Sequence, residues 1–152
     1  MRVLYNRRTR QPEWERELGV EYAGLDDLLA ESDFVSLQVP LTDETRHMIG
    51  AEQLARMKPT AILINVARGP VVDPEALYAA LQAGEIAGAA LDVTEPEPMR
   101  PDDPLIGLEN VVVTPHVGSA TVQTRMKMAN MAADNLLAGL RGEALPHSVP
   151  GG

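Results

Sequence analysis

From residue 61 to residue 67 the chain reads Ala-Ile-Leu-Ile-Asn-Val-Ala, apolar at six of seven positions and without alternation. A short, unalternating run rich in Ile and Val predicts a parallel strand buried on both faces. The run stops at Arg68-Gly69, so Arg68 is expected at the strand's carboxyl end. Similar apolar runs predict strands at residues 3–5, 34–39, 87–93 and 111–113, with a brief edge strand at 20–22.

Helical spacing fills the intervals between these strands. Pro12 opens a short helix through Trp14 and Leu18 that Gly19 closes, the proline-first and glycine-after asymmetry of helix ends. Leu25, Leu28 and Leu29 mark one face of the next helix, and Leu54 and Met57 anchor a third that ends before Pro59. Asp73-Pro74 reads as an N-cap followed by proline at the first helical position, with Gly84 as the stop. Residues 119–140 predict one long helix. Val122, Met126, Ala129, Ala133, Leu136 and Leu140 form its main apolar stripe, and Met128, Met131 and Ala132 a second one. A helix apolar on two sides has two partners. Strand and helix alternate throughout, which predicts an α/β fold with a doubly wound parallel sheet.

Composition narrows what such a fold does. At 152 residues and 45% hydrophobic content, the chain is long enough for one domain with its own core. Only 3% of residues are aromatic, so aliphatic side chains and Met must fill that core. The net charge of −9, with basic residues forming no long run, argues against nucleic acid or an anionic membrane as the partner. The absence of cysteine excludes a disulfide framework and thiolate chemistry. No apolar run approaches the roughly 20 residues of a membrane span. A cytoplasmic location is expected, and no metal site.

Three side chains then stand at the ends of consecutive predicted strands, or in the loops after them: Arg68, Glu97 and His116. Parallel strands bring their carboxyl ends to one edge, where ligands bind in open α/β sheets. An arginine there can hold a carboxylate with its planar fork. A carboxylate beside an imidazole can fix its tautomer and stabilise its charged form, making a proton donor near neutral pH. Together the three suit reduction of an α-keto acid, with hydride from a nicotinamide because proteins have no hydride donor of their own. Each also has a plainer reading: Arg68 as a loop cation, Glu97 as one acid in a solvated loop where Glu95 is equally visible, His116 as a strand-end histidine bonded to backbone. His47 and His147 are read as structural, and Met126, Met128 and Met131 as packing.

At these residues the chain resembles a family. The blocks INVARGPVVD, AALDVTEPEP and TPHVGSAT are similar to the signature blocks of the D-isomer-specific 2-hydroxyacid dehydrogenases, with LDVTEPEP, SAT and DNLLAGLRGE closest to glyoxylate and hydroxypyruvate reductases. The resemblance implies that Arg68 binds substrate, that Glu97 is the acid paired with the histidine, and that His116 is the general acid/base. Glu95 does not match, since the family acid falls five residues after Asp92. Asp92 corresponds to the residue at the nicotinamide end, and Val39, Pro40, Thr45, Val66, Ala67, Val117 and Gly118 to positions lining the cofactor. Arg7 and Arg8, with Thr9, stand where an acid would select NAD, so NADP is expected over NAD. The substrate implied is a small 2-keto acid, and the complete enzyme is expected to be a homodimer. Other readings stay open: a phosphoglycerate or D-lactate dehydrogenase, a nicotinamide-sensing corepressor, or an inactive fragment.

No G-x-G-x-x-G occurs, although the family's first strand and glycine loop should precede residues 3–5. The chain is therefore expected to begin at the second strand of the dinucleotide fold, with residues 1–118 a partial NAD(P)-binding domain, 119–141 a helix that packs on a substrate domain outside this sequence, and 142–152 a tail. The first strand belongs between the strands at 3–5 and 34–39. Without it, either the sheet splits or those two strands pair directly.

Overall fold

In the computed structural model, which describes residues 1–149, the chain forms two compact units, the first ending at Pro115 and the second starting at His116. The first unit alternates strand and helix: β1 (Leu4–Tyr5), α1 (Pro12–Leu18), β2 (Glu21–Tyr22), α2 (Leu25–Glu31), β3 (Phe34–Leu37), α3 (Ala51–Arg56), β4 (Ile62–Asn65), α4 (Pro74–Ala83), β5 (Gly88–Leu91) and β6 (Val111–Val113). All pairings are parallel. They make two sheets, β1-β2 and β3-β4-β5-β6, so of the two expected alternatives the split is the one observed.

Local chemistry sets the helix ends. Gly19 and Gly84 take left-handed conformations (φ 67° and 70°) at the ends of α1 and α4. The Asp73 carboxylate accepts from the N–H groups of Glu75 and Ala76 at the start of α4.

The larger sheet carries the core on one face. Val35, Leu37, Leu63, Ala89 and Leu91 point to the side covered by Leu29 of α2, Leu54 of α3, and Leu77 and Leu81 of α4, and all are buried. On the opposite face the register sets Phe34 beside Ile62, and Ser36, Ile64, Ala90 and Val112 in one row. Phe34 and Val112 are each 63% exposed there, and Ile62 and Ile64 are only half-buried. The expectation that the strand at 61–67 is buried on both faces is thus corrected: the helices of this unit close one side only. The strand is also shorter, ending at Asn65, because Asn65 turns its side chain to the loop that follows.

The second unit contains α5 (Val122–Leu140). It begins three residues later than the apolar pattern suggests, because the Thr121 hydroxyl accepts from the Thr124 N–H and caps the helix there. The chain then folds back on α5: Asn135 exchanges two hydrogen bonds with the backbone of His147, and the Glu143 N–H donates to the Ala138 carbonyl. His147 is therefore tied to the helix through its backbone. Both apolar stripes of α5 are exposed within this chain, from Val122 through Met126 and Met128 to Leu136 and Leu140. Among the described residues no helix is long and apolar enough to cross a membrane.

Candidate active site

Three loops leave the carboxyl ends of β3, β4 and β5, and the structure ties them to one another in pairs. The loop after β3 is first closed on itself: Thr45 Oγ1 donates to the Pro40 carbonyl at 2.6 Å and accepts from the Thr42 N–H at 2.8 Å. Its second half runs beside the loop after β4. The His47 N–H donates to the Pro70 carbonyl at 2.7 Å, and Ile49 and Val72 form a parallel bridge. His47 takes φ 51° to make this turn, a conformation uncommon outside glycine.

The loop after β4 lies directly on the loop after β5. A Cβ built on Gly69 would sit 2.0 Å from the Thr94 carbonyl oxygen, so only glycine permits this approach. The first and third loops are joined through Glu95, whose two carboxylate oxygens meet His47 Nε2 at 2.8 Å and Arg46 Nη1 at 3.1 Å. Each link spans nearly fifty residues of sequence.

Arg68 sits in the middle of this assembly, in extended backbone just before a single 3₁₀ turn at Gly69–Val71. Its residue is exposed, and Nη1 donates to the Ala67 carbonyl at 2.6 Å, folding the guanidinium over its own turn. The turn is held from below by Asn65, 1% exposed, whose Oδ1 accepts from the Ala67 N–H at 3.1 Å and whose Nδ2 donates to the Arg68 carbonyl at 3.0 Å. Glu97 lies exposed in the loop after β5, two residues beyond the Glu95 anchor. At the start of that loop Asp92 accepts from Thr114 Oγ1 at 2.6 Å, joining it to the end of β6. The structure thus brings the loops of Arg68 and Glu97 into backbone contact. His116, with φ 53°, is the first residue of the second unit, followed by Val117 and Gly118.

Four of the residues expected to line a cofactor stand just past the carboxyl ends of β3 and β4. Val39 is half-buried and Pro40 exposed at the end of β3, while Val66 is exposed and Ala67 buried at the end of β4. After β1, Asn6 Nδ2 donates to the Ala23 carbonyl and fixes the turn. The Arg7 guanidinium lies 4.9 Å over the Trp14 ring. Arg8 and Thr9 are exposed, and Arg8 approaches Glu44 at 3.9 Å. The Thr42 hydroxyl, the backbone and Arg8 hold the Glu44 carboxyl below its ordinary range.

Sequence reasoning passed over Asn65, Arg46, His47 and Glu95 as parts of the site. Asn65 carried a signal, as the single polar residue in an otherwise apolar run. The other three carried none that a local pattern could show.

Comparison with known proteins agrees with this geometry. The family model for the D-isomer specific 2-hydroxyacid dehydrogenase NAD binding domain matches residues 1–118. The chain is 62% identical over 149 residues to a glyoxylate reductase of Korarchaeum cryptofilum and 55% identical to glyoxylate/hydroxypyruvate reductase B of Cronobacter sakazakii. These alignments cover 98% of this chain but only 45% and 46% of those proteins, so the chain spans about half their length. The TT0316 protein from Thermus thermophilus superposes with a TM-score of 0.92 at 49% identity, covering 99% of this chain and 46% of that one. With the signature blocks, the parallel sheet and the family match in agreement, the chain belongs to the D-isomer specific 2-hydroxyacid dehydrogenases, its residues 1–118 matching their NAD binding domain.

Proposed function

We propose that these residues serve an NADPH-dependent reductase of small 2-keto acids, with glyoxylate and hydroxypyruvate as substrates. The observation that carries the reading is the assembly of three loops around Arg68, which sets a guanidinium and the Glu97 loop together at the sheet edge where ligands bind. Relatives named glyoxylate reductase and glyoxylate/hydroxypyruvate reductase B support the substrate class.

In this reading the Arg68 fork binds the substrate carboxylate and orients the neighbouring carbonyl. His116 gives a proton to the carbonyl oxygen, and Glu97 accepts the imidazole N–H on its other side and stabilises the charged ring. A bound nicotinamide cofactor would supply the hydride. One hydride and one proton convert the keto acid to the 2-hydroxy acid. Asp92, Val39, Pro40, Thr45, Val66, Ala67, Val117 and Gly118 would line the cofactor. Arg7, held over Trp14, would take the 2′-phosphate of NADPH together with Arg8 and Thr9. One apolar stripe of α5 packs on the substrate domain, and the complete enzyme is a cytoplasmic homodimer.

The test is NADPH oxidation with glyoxylate, hydroxypyruvate and pyruvate. It uses the chain fused behind the preceding half of the Korarchaeum cryptofilum relative, beside the 152-residue chain alone. The fusion should turn over glyoxylate, and the chain alone should not. In the fusion, His116→Ala should lower turnover by a factor on the order of 10² to 10⁴. An active fusion unaffected by His116→Ala overturns the proton-donor assignment.

A further inference from the structure

Asn65 is the only charged or amide side chain in the buried set of the first unit, and nothing in the reaction proposed above uses it. It lies at the last position of β4, in register with Leu37 and Leu91, on the face that is otherwise filled with aliphatic side chains. A buried amide left unbonded loses its hydration without compensation, so its retention there requires full pairing. Both ends are paired, and both bonds go to the same short turn: Oδ1 to the Ala67 N–H and Nδ2 to the Arg68 carbonyl. An aspartate offers only acceptors and an aliphatic side chain offers neither. The amide alone has the donor and the acceptor this turn needs.

We propose that Asn65 is a positioning residue that sets the Arg68 fork for the substrate carboxylate. By closing a ring from Ala67 to Arg68 it fixes the peptide between them, whose carbonyl receives the Arg68 Nη1 hydrogen bond at 2.6 Å. The same peptide direction brings Gly69 onto the Thr94 carbonyl, so the turn cannot relax toward the loop after β5 without a clash. Asn65 therefore determines where the guanidinium stands before substrate arrives, and a fork displaced by about 1 Å loses much of the benefit of orientation. The inference rests on the substrate reading of Arg68.

Two measurements test it. In the 152-residue chain, the Ala67 amide should exchange with solvent at least a hundredfold more slowly than an unstructured amide, since its partner is a buried side chain. Exchange at the unstructured rate overturns the inference without reference to activity. In the active fusion, Asn65→Leu, which removes both bonds at similar volume, should raise the KM for glyoxylate at least tenfold while the KM for NADPH stays within twofold. Asn65→Asp, which keeps the acceptor, should raise it less. A merely structural role would move both KM values or neither. If Asn65→Leu fails to fold, Asn65→Asp decides: a raised glyoxylate KM with the NADPH KM within twofold supports the role, and wild-type values overturn it. Arg68→Ala is measured alongside: an unchanged glyoxylate KM there overturns the substrate reading, whereas a raised KM there with wild-type values in the Asn65 variants overturns the role of Asn65.

Discussion

The two sheets of the first unit are built on different physics. The β3–β6 sheet holds the buried aliphatic set from Leu29 to Leu105, whereas no residue before Leu29 is buried at all. The β1-β2 pair has two residues in each strand and is held by surface contacts. Tyr5 packs against Trp14 and Tyr22, Arg2 pairs with Glu21 and Glu31, and Arg10 pairs with Glu15. Exposed ion pairs contribute little, against about 1.5–3 kcal/mol for each large aliphatic side chain fully buried. The lesson is that one βαβ grammar can produce a region with a core and a region without one, and the difference is burial rather than hydrogen bonding. The proposed site would straddle this contrast, with Arg68 and Glu97 in loops of the cored sheet and Arg7 and Arg8 beside the coreless one.

The largest expected effect lies in the cored sheet. Leu63 is fully buried at the centre of β4, and Leu63→Ala should cost about 2–5 kcal/mol, lost transfer energy plus the cavity left behind. Urea unfolding followed by far-UV circular dichroism should show the midpoint falling accordingly. The signal of the sole tryptophan, Trp14, should keep its own midpoint until the two transitions meet. Equal shifts in both signals would mean that the two sheets unfold as one unit and would break the comparison.

A smaller effect is expected in the unaltered chain. Trp14 is 43% exposed and sits on α1, so its fluorescence reports the β1-β2 region alone, while circular dichroism reports mainly the helices of the cored sheet and α5. The fluorescence transition should come at lower urea than the dichroism transition. Coincidence of the two is the standard mark of two-state behaviour and would erase the distinction.

The contrast also explains what the sequence could reveal. Element identity was legible because its causes are local: Gly19, Gly84 and the Asp73 cap end helices through neighbours a few residues away. Arg68, Glu97 and His116 were legible as candidates because parallel topology sends consecutive strand ends to one edge. The ties between the loops were not legible. His47 and Glu95 are 48 residues apart, and neither their spacing nor their type marks the hydrogen bond that joins them. The close approach at Gly69 likewise depends on where the Thr94 backbone lies, which only the folded chain defines. The strand at 61–67 was misread as closed on both faces for a related reason. Ile62 and Ile64 are suited to a cover that the helices of this unit do not provide.

The smallest expected effect is a response to acid confined to the coreless region. Hydrogen bonds from Arg10, foremost, and from Tyr5 lower the Glu15 carboxyl from 4.5 to about 2. The hydrogen bond and charge of Arg2 lower Glu21 in the same direction. A carboxyl whose folded value lies below its unfolded one contributes stability that is fully present above about pH 4.5. That contribution is lost as pH falls through the folded value. Between pH 4.5 and 2 the urea midpoint read by Trp14 fluorescence should therefore decline, beyond any decline that Glu15→Gln retains. Part of the residual decline in Glu15→Gln belongs to Glu21, so it should be smaller in Glu15→Gln/Glu21→Gln. Salt should reduce the difference between wild type and variant, because these pairs face solvent. An identical acid response in wild type and Glu15→Gln would show that the Arg10–Glu15 pair does not hold β1-β2 together, leaving the aromatic cluster of Tyr5, Trp14 and Tyr22 as its main support.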